Sequence, residues 1–193
     1  LDESFDMTLG LAKARRFLLR VLGLELPTAT EFVDPITPQY ISDLISWGAI
    51  GARSAEAQAY RRMASGLSMP IAFKNGTGGS MQLAVNGVVA ARAPHPFLGV
   101  DLDGKVAQIK TLGNPDCFII LRGSSRGPNY DGESVGHAMS LLKAAGLCPN
   151  IMIDCSHDNS GKDHARQGSV FSKVLGQRAL GNRSIVGAMI ESN

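Results

Sequence analysis

The sequence predicts an α/β fold: a parallel (β/α)8 barrel of the TIM type, present in part and interrupted by a β-hairpin. Three observations carry this expectation. Apolar runs end on polar or charged residues at WGAIGAR (47–53), PIAFKNGT (70–77), CFIILRG (117–123), NIMIDCSH (150–157) and SIVGAMIES (184–192). Helix-like stretches separate most of these runs, as in parallel strands joined by crossover helices. The segment 95–114 breaks the alternation, because Asp103-Gly104 between apolar runs signals an antiparallel hairpin.

The elements follow in order. Residues 8–22 carry apolar side chains at helical spacing, with Thr8 as the expected N-cap. LPTATEF at 26–32 reads as a strand with Glu31 near its end, and 36–47 as a short helix. WGAIGA is the second strand, followed by an alanine-rich helix over 54–67 that Gly66 stops. PIAFKNG is the third strand, with a helix over 79–93 after it. Beyond the hairpin, CFIILRG, a helix over 133–147, NIMIDCSH, a polar loop, a helix over 169–180 and SIVGAMIES complete the pattern. Six parallel strands are expected where a closed barrel of this class has eight. The chain therefore reads as a single partial-barrel domain spanning 1–193, without a helix to cover Ile185, Val186 and Met189 on the last strand.

Composition narrows the function. A 193-residue chain with 44% hydrophobic residues can bury one substantial core. Its net charge of +2 is small, and its basic residues form only short pairs such as Arg15–Arg16, so no nucleic-acid partner is expected. No apolar run approaches the ~20 residues that span a bilayer, so no membrane partner is expected either. Cys117, Cys148 and Cys155 lack metal-finger spacing and are expected to be reduced, which points to the cytoplasm.

The strand ends carry the chemistry. Arg53, Lys74 and Arg122 each follow an apolar run, and a cation ending a buried strand is costly unless it meets an anion. Arg53 sits at an expected strand-to-helix junction, where backbone N–H groups add to an anion site; pairing with Glu56 is the alternative. Gly76, Gly78 and Gly79 let backbone approach a ligand, and Gly123, Ser124 and Ser125 form a loop suited to phosphate. Three cations at one mouth suit a small molecule with a phosphate and a carboxylate. His157 and Glu191, ending adjacent strands, offer one nitrogen and one oxygen ligand to a metal. His95, His137 and His164 lack such positions and read as structural.

Together, GAIGAR, AFKNGT, ILRG followed by PNY, IDCSH and GAMIESN resemble the microbial, feedback-regulated class I family of 3-deoxy-D-arabino-heptulosonate 7-phosphate (DAHP) synthases. EFVDPITPQY, SWGAIGAR and ASGLSMP extend the resemblance over nearly the whole chain. It implies a (β/α)8 barrel, here strands three to eight. It further implies condensation of phosphoenolpyruvate with erythrose 4-phosphate, the entry to aromatic amino acid biosynthesis. The matching residues would be Ala52, Arg53, Lys74 and Arg122 for phosphoenolpyruvate, with Lys74 and His157 catalytic. His157 and Glu191 would bind a divalent metal: manganese, iron or cobalt. An aromatic amino acid inhibitor would bind near Pro38, Gln39, Ser68, Phe97 and Gly99, partly on the hairpin, which is read as regulatory; Gly99 leaves room for a phenol and favours tyrosine. The resemblance also implies a homo-oligomer. The family's metal-binding Cys, its Lys-Pro-Arg-Thr segment and the Asp ligand after its last strand are not in this sequence, so the chain alone is expected to be inactive. Alternatives are a noncatalytic partner or pseudoenzyme, and the sister reaction on arabinose 5-phosphate giving an octulosonate.

Overall fold

A computed structural model describes residues 4–101 and 103–192. In chain order its elements are α1 (Met7–Leu22), β1 (Ala29–Glu31), α2 (Pro38–Ile41), β2 (Trp47–Ile50), α3 (Gln58–Ser65), β3 (Ile71–Lys74), α4 (Met81–Arg92), β4 (Pro96–Val100) and β5 (Val106–Lys110). Then come β6 (Phe118–Leu121), α5 (Gly132–Ala144), β7 (Ile151–Asp154), α6 (Gln167–Ala179) and β8 (Ile185–Met189). Six strands form one parallel sheet in the order β1-β2-β3-β6-β7-β8, an open half-barrel. β4 and β5 pair antiparallel by themselves, from Pro96↔Lys110 to Val100↔Val106.

Strand periodicity sorts the core into two faces. Ile50, Ile71, Phe73, Ile119, Leu121, Ile151, Ile153 and Ile185 pack outward with residues of the helices. Ala49, Ala72 and Ile120 form the inner cluster, lined by Trp47, Phe118, Met152 and Met189. Continuing the alternation by two residues puts Lys74 above Ala72, Arg122 above Ile120 and Asp154 above Met152. The inner apolar layer thus becomes polar at the C-terminal ends of the strands.

Helix ends follow their local chemistry. Asp131 Oδ1 accepts from Ser134 N at 2.8 Å to start α5. Ser80 Oγ accepts from Leu83 N at 3.3 Å to start α4. The N-cap of α1 is Asp6, whose Oδ1 accepts from Leu9 N at 2.9 Å, and not Thr8.

Other expectations shift. The helix expected over 36–47 reduces to the single turn of α2 followed by a 3-10 turn over Ser42–Leu44. The helix expected over 54–67 begins only at Gln58, because Ser54 N and Ala55 N bond back to Gly51 O and Ala57 is extended. Arg53 therefore lies in a turn, not at a helix start. The hairpin is present, with Asp101 Oδ1 accepting from Asp103 N and Lys105 N in its turn. Residue 102 of that turn and Asn193 of the last motif lie outside the described residues. Ile185 is buried against the fold, whereas Val186 is exposed as expected.

Candidate active site

The polar mouth is built from the ends of β1, β3, β6, β7 and β8. Lys74 is only 4% exposed, yet its Nζ stands 2.9 Å from Glu31 Oε2 and 3.6 Å from Asp154 Oδ2. Glu31 reaches it by crossing the bare face of Gly51, where a Cβ would fall 2.4 Å from Glu31 Oε1. Arg122, 6% exposed, donates from Nη1 to Asp158 Oδ2 at 2.7 Å. The two buried cations are thus compensated within the fold, by carboxylates that the sequence did not single out.

A buried amide network fixes the strand ends relative to one another. Asn75 Oδ1 accepts from Arg122 N at 2.8 Å and from Asn129 Nδ2 at 3.1 Å, and Asn75 Nδ2 donates to Gly123 O at 3.0 Å. Asn129 Oδ1 accepts from Gly123 N at 2.7 Å, and Asn129 N donates to Asn159 Oδ1 at 2.8 Å. Asn159 Nδ2 then donates to Leu121 O and Asp154 O at 3.1 and 2.8 Å. Each amide spans two loops, so β3, β6 and β7 hold their terminal side chains in one register.

His157 follows β7 with a φ of +48°, a left-handed conformation that costs a non-glycine residue energy and is concentrated at functional sites. Its Nδ1 lies 2.8 Å from Ser156 Oγ, 2.8 Å from Asp154 Oδ2 and 3.7 Å from Glu191 Oε1. The approach to Oδ2 is out of line for a hydrogen bond, which leaves that fully buried oxygen without an aligned partner. Burial raises the Asp154 carboxyl, but the interactions with His157, Ser156 and Lys74 outweigh it and hold the group below the ordinary aspartate range. Gln167, at the start of α6, clamps Glu191 through its backbone, accepting from Glu191 N at 2.8 Å and donating to Glu191 O at 2.7 Å.

Asp154, His157 and Glu191 bring their ligand atoms within 4.8 Å of one another, a group capable of holding a metal ion. The buried Asp154 Oδ2 lacks an aligned hydrogen-bond donor, and an imidazole beside two carboxylates offers the mixed nitrogen and oxygen donors of a divalent transition metal. Burial pushes the Cys117 thiol up to about 12 and that of Cys155 up to about 11, so neither is a thiolate at neutral pH. All three cysteines are free.

Lys74, Arg122, His157 and Glu191 gather at one end of the half-barrel. Arg53 is exposed in the turn after β2 and, among the described residues, makes no ion pair, with Glu56 or otherwise. Ala52 is half-buried beside it. Asp154 and Asp158 escaped the sequence reading, which placed Glu31 near a strand end but gave it no role. Strand parity was the available signal for Asp154, since it lies two residues past Met152 as Lys74 lies two past Ala72.

A separate cavity of about 600 Å³ lies beneath the hairpin and is lined by Pro38, Gln39, Arg62, Phe97, Gly99 and Ile109, among others. Ser68 is exposed and does not line it. Gln39 Nε2 donates to Val100 O, tying α2 to the hairpin. Arg62 Nε is buried without a partner.

Fold and site together define a parallel (β/α) barrel protein with two buried cations and a group capable of holding a metal ion at one end. The chain belongs to the DAHP synthetase I family, which it matches over residues 4–193. It is 52% identical over 193 residues to the Tyr-sensitive phospho-2-dehydro-3-deoxyheptonate aldolase of Escherichia coli K12, covering all of this chain and 54% of that protein. It is 48% identical to the Phe-sensitive enzyme of the same organism, covering 55% of it. A solved phospho-2-dehydro-3-deoxyheptonate aldolase from Francisella tularensis SCHU S4 superimposes with a TM-score of 0.95 at 46% identity, over 100% of this chain and 56% of that one. The chain thus spans about half the length of the relatives it matches.

Proposed function

We propose that this chain supplies the phosphoenolpyruvate and metal half of a DAHP synthase. The complete barrel would condense phosphoenolpyruvate with erythrose 4-phosphate and release phosphate. The observation that carries the reading is the pair of buried cations, Lys74 and Arg122, at the ends of the adjacent strands β3 and β6, beside the Asp154–His157–Glu191 group. Bound phosphoenolpyruvate would draw the Lys74 ammonium from Glu31 and use the donors of Arg122 that Asp158 leaves free, as bidentate forks do for phosphate and carboxylate. The unpaired guanidinium of Arg53 and the Ala52 N–H would close on the same anion. C3 of phosphoenolpyruvate would then bond to the aldehyde carbon, water would add at C2, and the C2–O bond to phosphate would break. Lys74 and Arg122 would stabilise the charge developing on these oxygens.

His157 and Glu191 would ligate manganese, iron or cobalt, suited by mixed nitrogen and oxygen donors. That ion supplies Lewis-acid polarisation of the aldehyde. The cavity under the hairpin would take an aromatic amino acid, with Arg62 meeting its carboxylate; relatives named Tyr-sensitive and Phe-sensitive support an aromatic amino acid effector, and the cavity's place under the hairpin makes the hairpin its regulatory wall. We place the protein in the cytoplasm, as three free cysteines suit a reducing compartment, and expect it to act as a homo-oligomer. Among the described residues no helix is long and apolar enough to cross a membrane.

The test is turnover by the full-length enzyme carrying this sequence. Chelation should abolish consumption of phosphoenolpyruvate, and added manganese, iron or cobalt should restore it. Lys74→Ala should be inactive at any metal concentration. Undiminished turnover in either case would overturn the assignment.

A further inference from the structure

We propose that Asp154 is a positioning residue: acting through Ser156, it locks His157 in the tautomer that leaves Nε2 bare for the metal, and it ties the same imidazole to Lys74. This rests on the reading of His157 as a metal ligand. Ser156 has one hydroxyl hydrogen, and its Oγ lies 2.7 Å from Asp154 Oδ1, a carboxylate oxygen that only accepts. That hydrogen is therefore committed to Asp154. Ser156 Oγ also lies 2.8 Å from His157 Nδ1, where it can now only accept, so Nδ1 must carry a proton. Asp154 Oδ2, 2.8 Å from the same nitrogen, makes the same demand, because a bare Nδ1 would set lone pair against lone pair. A neutral imidazole protonated at Nδ1 has its free lone pair on Nε2.

The carboxylate is held to this task. Asp154 is wholly buried, and Ser156 N also donates to Oδ1 at 2.9 Å, which prevents rotation. Direct ligation fits the distances less well. Two ligands of one tetrahedral ion bonded at about 2.1 Å stand roughly 3.4 Å apart, whereas Asp154 Oδ2 and His157 Nδ1 are only 2.8 Å apart. Carboxylate–imidazole–metal relays of this kind orient the ring and raise its basicity. Here the relay has a second branch, since Asp154 Oδ2 is also 3.6 Å from Lys74 Nζ. One buried charge thus faces both the metal ligand and the cation of the anion site.

Long-range proton–nitrogen NMR on the metal-free full-length enzyme carrying this sequence, labelled at histidine, reads the tautomer without any substitution. The proton of neutral His157 should sit on Nδ1; a proton on Nε2 would overturn the proposal. In Asp154→Asn, cobalt titrated by absorbance should bind about 10- to 100-fold more weakly, with an unchanged ligand-field spectrum at saturation. Unchanged affinity, or a spectrum that reports a lost oxygen ligand, would overturn it. Ser156→Ala keeps the carboxylate that faces Nδ1 and should weaken the preference for the Nδ1-protonated form without reversing it; an unchanged tautomer ratio there would remove Ser156 from the relay. If the Asn variant fails to fold, the tautomer of the unsubstituted protein still decides. Absence of cobalt binding by the unsubstituted protein would instead sink the metal reading, and with it the purpose assigned to Asp154, even where Nδ1 carries the proton.

Discussion

Lys74 stands between two carboxylates of unequal exposure, with Glu31 partly open to solvent and Asp154 sealed. The difference divides their roles. Glu31 can release the ammonium to an incoming anion at little cost, because water can take over its solvation. Asp154 cannot turn away and keeps one charge fixed beneath the site. Removing the lysine takes one compensating partner from that charge and leaves Ser156 and His157 beside it. Lys74→Ala should therefore destabilise the fold by about 1–3 kcal/mol, the usual cost of taking one partner from a buried polar group. The double substitution Lys74→Ala with Asp154→Asn should recover much of this loss. Urea denaturation of the parent, both single variants and the double variant would measure the coupling. Additive losses would show that Asp154 does not rely on Lys74.

At the scale of elements, the hairpin is stiff at its root and open along its blade. Thr111 Oγ1 accepts from His95 N at 2.9 Å and meets Ser65 Oγ at 2.7 Å, while Asn114 Nδ2 donates to Ala64 O and Met69 O at 3.2 and 2.9 Å. β4 and β5 are thereby pinned to the end of α3 and the approach to β3, and the cavity lies between the blade and α2. The space left by Gly99 is partly filled, since a Cβ there would fall 2.7 Å from Ile109 Cγ1 and 3.3 Å from Phe97 Cε2. Gly99→Ser should push both side chains into the cavity and narrow it. Tyrosine inhibition should then weaken relative to phenylalanine by roughly tenfold, equivalent to about 1.4 kcal/mol. Inhibition curves with both amino acids on the full-length enzyme would measure it, and an unchanged ratio would remove Gly99 from effector choice. The hairpin was legible because Asp103-Gly104 is a local signal. The late start of α3 was not, because SAEA favours helix while the bonds from Ser54 N and Ala55 N to Gly51 O impose a turn. Lys74 and Arg122 stood out as charges closing apolar runs. Their partners did not, because Glu31 lies on another strand and Asp158 in a loop, and no local pattern announces a contact between distant segments.

At the scale of the whole molecule, the sheet has two free ends. β1 and β8 each pair on one side only among the described residues, so their outer N–H and C=O groups offer a template to another strand. The inner face adds to this, since Trp47, Phe118, Met152 and Met189 are only partly covered there. Exposed apolar side chains also precede β1: none of α1 is buried, and Phe17, Leu19, Leu24 and Leu26 face solvent. In a closed barrel, further strands would satisfy the edges and bury the inner face. Residues 1–193 expressed alone should therefore associate at micromolar concentrations, as partly formed sheets with unpaired edges do. They should also bind hydrophobic dyes and melt with low cooperativity. The same chain should turn over no phosphoenolpyruvate with erythrose 4-phosphate and manganese, because half a barrel cannot enclose the aldehyde substrate. Light scattering across a dilution series, with calorimetry on the same samples, would measure the first expectation, and a phosphate-release assay the second. A monodisperse monomer with one sharp transition would show that the amide network joining β3, β6 and β7 stabilises the half-barrel without the missing wall.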